Sequence, residues 1–356
     1  MPEKKKKIFY VCGSINQTTQ MHKISKELPE FEHYFSPYYG NKFEEFLRVT
    51  GLGNTTIIGE KLVNRCLSYL NYHDLKVDFG GKNADEYDLV VSCSDLVVQN
   101  NLKGKKMIVV QEGMTDPENF FYHLVKLFPI LPRWIASTST TGISDQYNYF
   151  CVASQGYADL FIRKGVKPEK IKVTGIPNFD DCAKSLKNDF PHKNFVLVCT
   201  SDARETFKIE NRKAFIQKAV DIAKGRQIIF KLHPNENRKR AEREIKKWAP
   251  AGTLVFQGGV TEEMIANCDV LLTRFSSTVY VGIALGKEVY SDFDLTDLKR
   301  MTPIQNGGTS AANIATYCRE LLDSAEAPVY SRAKVTNWVN ADYAPELVLN
   351  LFASKP

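Results

Sequence analysis

Two short runs put reactive side chains where a strand gives way to a turn. Ile228-Ile229-Phe230-Lys231-Leu232-His233-Pro234-Asn235 is an apolar run that ends in a cation, an imidazole and a proline. Asp269-Val270-Leu271-Leu272-Thr273-Arg274-Phe275-Ser276-Ser277-Thr278 repeats the pattern with paired hydroxyls. Together these residue types can bind an anion. A phosphate is held by backbone N–H groups at a helix start, by hydroxyls, and by a cationic or protonatable donor. Ser276, Ser277 and Thr278 supply the first two. His233 can donate to a phosphoryl oxygen and, once protonated, offset charge on a departing phosphate. Lys231 shares the strand face of His233. Arg204 and Arg274 stand at neighbouring strand exits as further phosphate contacts. Plainer readings exist: a Ser-Ser pair at a helix start is often only a cap, and a solitary His is more often structural than reactive. The adjoining Pro234 and the strand-end position favour a working His233.

A carboxylate occupies a similar place earlier in the chain. Lys106-Met107-Ile108-Val109-Val110-Gln111 reads as a strand that ends in Glu112-Gly113-Met114-Thr115-Asp116-Pro117. Glu112 can point into a cleft as a base. It can equally be a turn acid or a helix N-cap, although Asp116 before Pro117 already supplies that cap.

These groups need strands that end on one edge, as in an open parallel sheet, where ligands sit outside the carboxyl ends of the strands. The chain alternates accordingly. Lys7–Cys12, Asp88–Ser92, Lys106–Gln111 and Asn148–Ala153 read as strands in the first half; Asn194–Cys199, Ile228–Lys231, Leu254–Phe256, Asp269–Thr273 and Glu288–Ser291 come in the second. Their apolar runs are continuous and β-branched, as parallel strands buried on both faces require. Helical patterns separate them, for example Phe215, Ile216, Ala219, Val220 and Ala223 on one face. The polar stretch Lys184–Asn194, with Pro191, marks a linker. The expectation is an α/β protein of two Rossmann-like domains, 1–190 and 191–330, with 331–356 forming a helix, around Pro345–Phe352, that crosses back to the first. Gly51-Leu52-Gly53 lacks the third glycine of a dinucleotide fingerprint and reads as a loop. Asp292-Phe293-Asp294 resembles a metal-binding Asp-x-Asp but reads as a surface turn.

The totals agree. The chain has 356 residues, is 43% hydrophobic and carries a net charge of +6. That length suits two cores. The basic excess suits an anionic small molecule or membrane surface, and no pattern of a nucleic-acid-binding module appears. The eight cysteines form no Cys-x-x-Cys pair and read as reduced thiols. There is no secretory apolar region and no uninterrupted apolar stretch of about 18 residues to span a bilayer. The expectation is a cytoplasmic protein with a peripheral contact at the inner membrane face. The aromatic run Phe120–Ala136, with His123, Lys126, Arg133 and Trp134, could make that contact. An ordinary amphipathic helix broken by Pro129 and Pro132 is the simpler reading.

Lys-Leu-His-Pro, Ser276-Ser277 and Gln111-Glu112-Gly113, set in two Rossmann-like halves, resemble glycosyltransferases of the GT-B fold. They are most similar to bacterial sialyl-, polysialyl- and Kdo-transferases, which use CMP-activated sugars. Those enzymes carry an acidic-acidic-Gly motif, where this chain has Gln111 for the first acid. The resemblance implies two domains facing across a cleft. It also implies a nucleotide-sugar donor, a glycan or lipid-linked acceptor, and no cofactor or metal. Glu112 would be the general base, His233 would stabilise the departing CMP phosphate, and Ser276 and Ser277 would hold it. Gln257 and Glu262 would lie near the base and ribose, Pro234 beside the phosphate, and Ser14, Gln17 and Thr18 beside the acceptor. The same pairing resembles CDP-glycerol polyol-phosphate transferases. UDP-GlcNAc 2-epimerases share the fold but carry Ser-Gly-Gly where this chain has Ser276-Ser277-Thr278. A non-catalytic nucleotide-sugar binder is the remaining alternative.

Overall fold

The protein is described by a computed structural model at residues 5–41, 60–128, 130–201, 203–206 and 210–329. Gly51-Leu52-Gly53 and the segment 331–356 lie outside the described residues.

The first lobe contains β1 (Lys7–Val11), α1 (Ile15–Lys26), β2 (Glu32–Ser36), α2 (Glu60–Tyr72), β3 (Leu89–Ser92), β4 (Met107–Val110), α3 (Phe120–Leu127), β5 (Tyr149–Val152), α4 (Gln155–Lys164) and β6 (Ile171–Val173). Its six strands form a parallel sheet in the order β2-β1-β3-β4-β5-β6. The second lobe contains β7 (Val196–Cys199), α5 (Arg212–Ala223), β8 (Ile228–Lys231), α6 (Arg238–Trp248), β9 (Leu254–Phe256), α7 (Thr261–Asn267), β10 (Val270–Leu272), α8 (Thr278–Ala284), β11 (Glu288–Tyr290) and α9 (Leu295–Met301). Its five strands, also parallel, run β11-β10-β7-β8-β9.

Alternate residues of each strand enter different cores. Ile8, Tyr10, Leu89, Val91, Ile108 and Val110 face one cluster, while Phe9, Val11, Val90 and Val109 face another. Both faces are apolar, which is why these strands read as unbroken hydrophobic runs. In each sheet the strand order reverses direction next to the lobe's first strand, between β1 and β3 and between β7 and β10. A crevice outside the carboxyl ends opens at such a point.

A helix that comes after the second lobe, α10 (Ser310–Asp323), does not pack on that lobe's sheet. Ala311, Ile314, Ala315, Cys318, Leu321 and Leu322 share a core with Ile8, Tyr10 and Ile24. By packing, this part of the 191–330 span belongs to the first lobe. Lys106 Nζ donates to the Leu321 and Ser324 carbonyls at 2.8 and 2.9 Å, and Arg319 Nε meets Glu30 at 2.6 Å.

The lobes touch directly. One apolar cluster takes in Tyr157 and Phe161 of α4 together with Leu197, Leu271, Val279 and Tyr280 of the second lobe. The hydroxyls of Tyr157 and Tyr280 lie 2.7 Å apart, both buried, and burial pushes the Tyr157 phenol up to about 12. At Gly156 the backbone of α4 meets α9, and a Cβ there would overlap the Arg300 carbonyl.

β2 has no counterpart in the sequence reading. Glu32-His33-Tyr34-Phe35-Ser36 is a mostly polar edge strand between Pro29 and Pro37, so it lacks the apolar run that marks the central strands. All eight cysteines are buried and unpaired.

The α1–α2 seam predicts a pH response. His22 is 6% exposed. Its Nδ1 lies 3.0 Å from the Tyr69 hydroxyl, and the His73 ring lies tilted beside it, 4.9 Å between ring centroids. Burial, with Lys26 and His73 close by, lowers its pKa from 6.5 to about 4. The folded seam therefore keeps the ring neutral while the unfolded chain takes up a proton, so stability falls as pH drops from about 6.5 towards 4. The difference in urea midpoint between pH 7 and pH 5 should shrink in His22→Gln, which keeps a hydrogen-bonding group but does not titrate. An unchanged difference would show that His22 does not drive it.

Candidate active site

The carboxylate site is built at the exits of β1 and β4. Ser14 is the N-cap of α1, its Oγ accepting from the Gln17 amide at 3.2 Å. The Ser14 hydroxyl donates to Glu112 Oε1 at 2.9 Å, and Gln17 Nε2 donates to Glu112 Oε2 at 2.7 Å. The Gln17 Oε1 accepts from the Gly13 amide at 2.8 Å, which fixes which end of the amide faces the acid. Glu112 is thus oriented by two donors and half-buried. The buried Tyr39 phenol lies close enough that its pKa is raised by burial first and by the Glu112 charge second.

Gln111, the departure from the paired-acid motif, has a clear task. It is 1% exposed. Its Nε2 donates to the Gly113 carbonyl at 2.7 Å, and its Oε1 accepts from the Ala153 amide at 3.0 Å. A carboxylate could accept from Ala153 but could not donate to Gly113. The amide therefore braces the turn that carries Glu112.

The phosphate-type groups lie at the exits of β7, β8 and β10. The His233 amide donates to Thr200 Oγ1 at 3.1 Å, and Nδ1 accepts from the Asn235 amide at 3.2 Å. Because a backbone N–H can only donate, Nδ1 is unprotonated and Nε2 carries the ring hydrogen. Gln257 Nε2 donates to the His233 and Glu236 carbonyls at 3.3 and 2.9 Å. Lys231 is 6% exposed, its Nζ donating to the Gln257 carbonyl at 2.7 Å, and burial lowers its pKa. Glu262, in the first turn of α7, lies near both Lys231 and Lys23 of the first lobe; burial lowers the pKa of each, and the Glu262 charge opposes that only in small part. Pro234 is exposed next to the half-buried His233. Ser276 accepts from the Thr278 hydroxyl at 3.0 Å and, more weakly, from its amide at 3.4 Å. Ser277 makes no capping bond within α8.

Ser277 reaches across the cleft instead. Its Oγ accepts from the Met114 amide at 3.0 Å. A Cβ at Gly113 would come within 2.8 Å of the same oxygen, so glycine lets the two turns approach. On the neighbouring exit, Arg65 of α2 meets Asn235 beside His233 at 3.3 Å. β7 alone separates β8 from β10, which puts their exits about 10 Å apart. One ligand can touch both while facing the Glu112 turn.

Three sequence candidates are placed otherwise. Arg204 is held by Glu244 through two bonds of 2.9 and 2.8 Å, beside Glu210 and Glu236. Arg274 pairs with Asp292 at 2.6 Å. Arg204 neutralises carboxylates that burial would otherwise penalise, while Arg274 and Asp292 pair at the surface. Thr18 is fully buried, its hydroxyl on the Ser14 carbonyl at 2.8 Å, so it supports the α1 start and cannot meet an acceptor. Asp294 of the Asp-x-Asp pair caps α9.

Thr200 was not singled out from sequence. It accepts from the His233 amide and donates to Glu236, a 3% exposed carboxylate that Arg212 also holds at 2.5 Å. Burial raises the Glu236 pKa and Arg212 opposes that. The glutamate three residues after His233 was the available signal. Thr200→Val keeps the shape but leaves the His233 amide and Glu236 each short of a partner. We expect a loss of roughly 1–3 kcal/mol in urea-unfolding stability. A loss well below that range would mean that water replaces the hydroxyl.

No family model and no curated protein matches this chain. Solved structures do. A UDP-GlcNAc 2-epimerase from Neisseria meningitidis bound to UDP-GlcNAc matches with a TM-score of 0.56 at 11% identity, covering 88% of this chain and 100% of that one. The S. aureus MnaA–UDP structure matches with a TM-score of 0.53 at 14% identity, covering 99% of each chain. This chain has the GT-B fold. The wall teichoic acid polymerase TagF, soaked with CDPG, matches with a TM-score of 0.49 at 11% identity over 90% of each chain. Among the described residues, no helix is long and apolar enough to cross a membrane.

Proposed function

We propose that the chain is a glycosyltransferase that moves an acidic sugar from a CMP-activated donor to a hydroxyl of a glycan or lipid-linked acceptor. The supporting observation is the Met114 amide donating to Ser277 Oγ, which brings the Glu112-Gly113-Met114 turn up to the Ser276-Ser277 turn of the other lobe. Glu112, oriented by Ser14 and Gln17, takes the proton of the acceptor hydroxyl as its oxygen attacks the anomeric carbon. The bond between that carbon and the phosphate oxygen breaks, and its electron pair leaves with CMP. His233 Nε2–H and the Ser276 and Ser277 hydroxyls meet the charge that develops there. No cofactor takes part in the proposed step. The domains in this reading are a first-lobe acceptor side and a second-lobe donor side.

A second reading is epimerisation of a UDP-sugar, favoured by the shared shape with proteins described as UDP-GlcNAc 2-epimerases. Ser276-Ser277-Thr278 in place of Ser-Gly-Gly weighs against it. Nucleotide-dependent thermal shift separates the readings, because a ligand at a hundred times its Kd stabilises the fold by about 2.7 kcal/mol. The transfer reading expects stabilisation by CMP and release of CMP from a labelled CMP-sugar. Stabilisation by UDP alone, or CMP release from CDP-glycerol alone, would defeat it.

A further inference from the structure

Most cations around the cleft are committed within the protein. Arg204 is paired with Glu244, beside Glu210 and Glu236, and Arg274 is paired with Asp292. Lys231 turns its Nζ to the Gln257 carbonyl. Lys23 of α1 donates to the Pro177 carbonyl and to Asn178 Oδ1 at 2.7 and 2.9 Å. Arg65 of α2 differs. Among the described residues it makes one hydrogen bond, from Nη1 to Asn235 Oδ1 at 3.3 Å, and no ion pair. A guanidinium carries a planar fork of N–H donors, so most of the fork is left for a ligand. Its acceptor is a neutral amide oxygen at the long end of the hydrogen-bond range, and an anionic oxygen is the stronger partner.

Arg65 also bridges the two lobes. Its helix belongs to the first lobe, whereas the Asn235 amide donates to His233 Nδ1 at 3.2 Å. Cys66, the next residue of α2, is buried towards the carboxylate site. Burial raises its thiol pKa, Thr18 opposes that, and the nearby Glu112 charge adds to it. One turn of α2 therefore borders Glu112 through Cys66 and reaches the His233 turn through Arg65.

We propose that Arg65 binds the carboxylate of the donor sugar and selects a 2-keto sugar acid, in which that carboxylate sits on the anomeric carbon itself. The assignment rests on the transfer reading. There the anomeric carbon lies between Glu112, which takes the acceptor's proton, and His233, which meets the departing phosphate. A group carried on that carbon lies between the same two residues, the interval that Arg65 spans. Glu112 is itself an anion, so a second carboxylate beside it needs a cation. The pair forms on the bound donor before any bond changes. Its effect therefore falls on donor binding more than on the chemical step.

The test uses the full chain with a CMP-activated 2-keto sugar acid, the methyl ester of that donor, and CMP alone. Arg65→Gln should raise KM for the acid roughly tenfold or more, the usual worth of a charge-assisted pair, with kcat little changed. The parent should prefer the acid to the ester, Arg65→Gln should treat them nearly alike, and Arg65→Lys should recover part of the preference. The thermal shift with CMP should be the same in the parent and Arg65→Gln, because CMP has the phosphate without the carboxylate. Arg65 is exposed, so matching urea midpoints are expected to show that the variants fold. Unchanged KM for the acid in Arg65→Gln, while the parent transfers it, sinks this assignment alone. Equal weakening of CMP and donor would place Arg65 on the phosphate and overturn it too. A parent that neither binds CMP nor releases it from the sugar acid defeats the transfer reading and this assignment with it.

Discussion

Glu112→Gln should lower kcat for sugar transfer by about a hundredfold to ten-thousandfold, the usual range for a removed general base, with KM for the donor little changed. The substitution preserves volume and can still accept from the Ser14 hydroxyl, so the turn should persist. The amide cannot hold the acceptor's proton. Steady-state kinetics with a labelled CMP-sugar checks the rate, and CMP-induced thermal shift checks that donor binding survives. His233→Ala completes the test, because it removes the donor to the leaving phosphate on the other lobe. If both variants retain transfer activity, the mechanism is wrong even where the fold is right.

Gly156→Ala should be a strongly damaging addition of a single methyl group. Its Cβ would overlap the Arg300 carbonyl oxygen and come within 2.7 Å of the carbonyl carbon. These are backbone atoms of α9, which cannot turn aside as a side chain would. Overpacking of this kind costs about 1–3 kcal/mol or more. The strain falls on the contact between lobes, next to the Tyr157–Tyr280 pair, so the thermal midpoint and the transfer rate should fall together. Gly165→Ala is the comparison: φ is +104° there, but no atom lies within 4 Å, so its cost is local backbone strain alone. Equal losses for the two would show that the lobes do not depend on the close approach at Gly156.

Much of this architecture was legible because parallel strands buried on both faces leave continuous apolar runs, as at Ile228–Phe230 and Val196–Cys199. The mostly polar β2 at the sheet edge left no such trace. For the candidate site, residue types at strand ends singled out Glu112, His233 and Ser277, because the carboxyl ends of parallel strands border a crevice. Pairing could not be read this way. Nothing local in the sequence shows that Arg204 is committed to Glu244, or Arg274 to Asp292, since each partner lies 18 residues or more away along the chain. Thr18 was misplaced because a helix start has an inner side, and the next hydroxyl after Ser14 and Gln17 turns inward. Thr200 was overlooked because its value lies in joining His233 to Glu236, a relation between three strand-exit residues.

The return of α10 to the first sheet makes the second lobe an insertion within its neighbour. Two chain crossings join them, one before β7 and one between α9 and α10. A fragment cut at residue 190 would expose the side of Ile8, Tyr10 and Ile24 that α10 covers, so a minimal first-lobe module has to be spliced from both ends of the described chain. The paired tethers also favour hinge-like opening over free swivelling, so the cleft should open by a jaw motion about one axis.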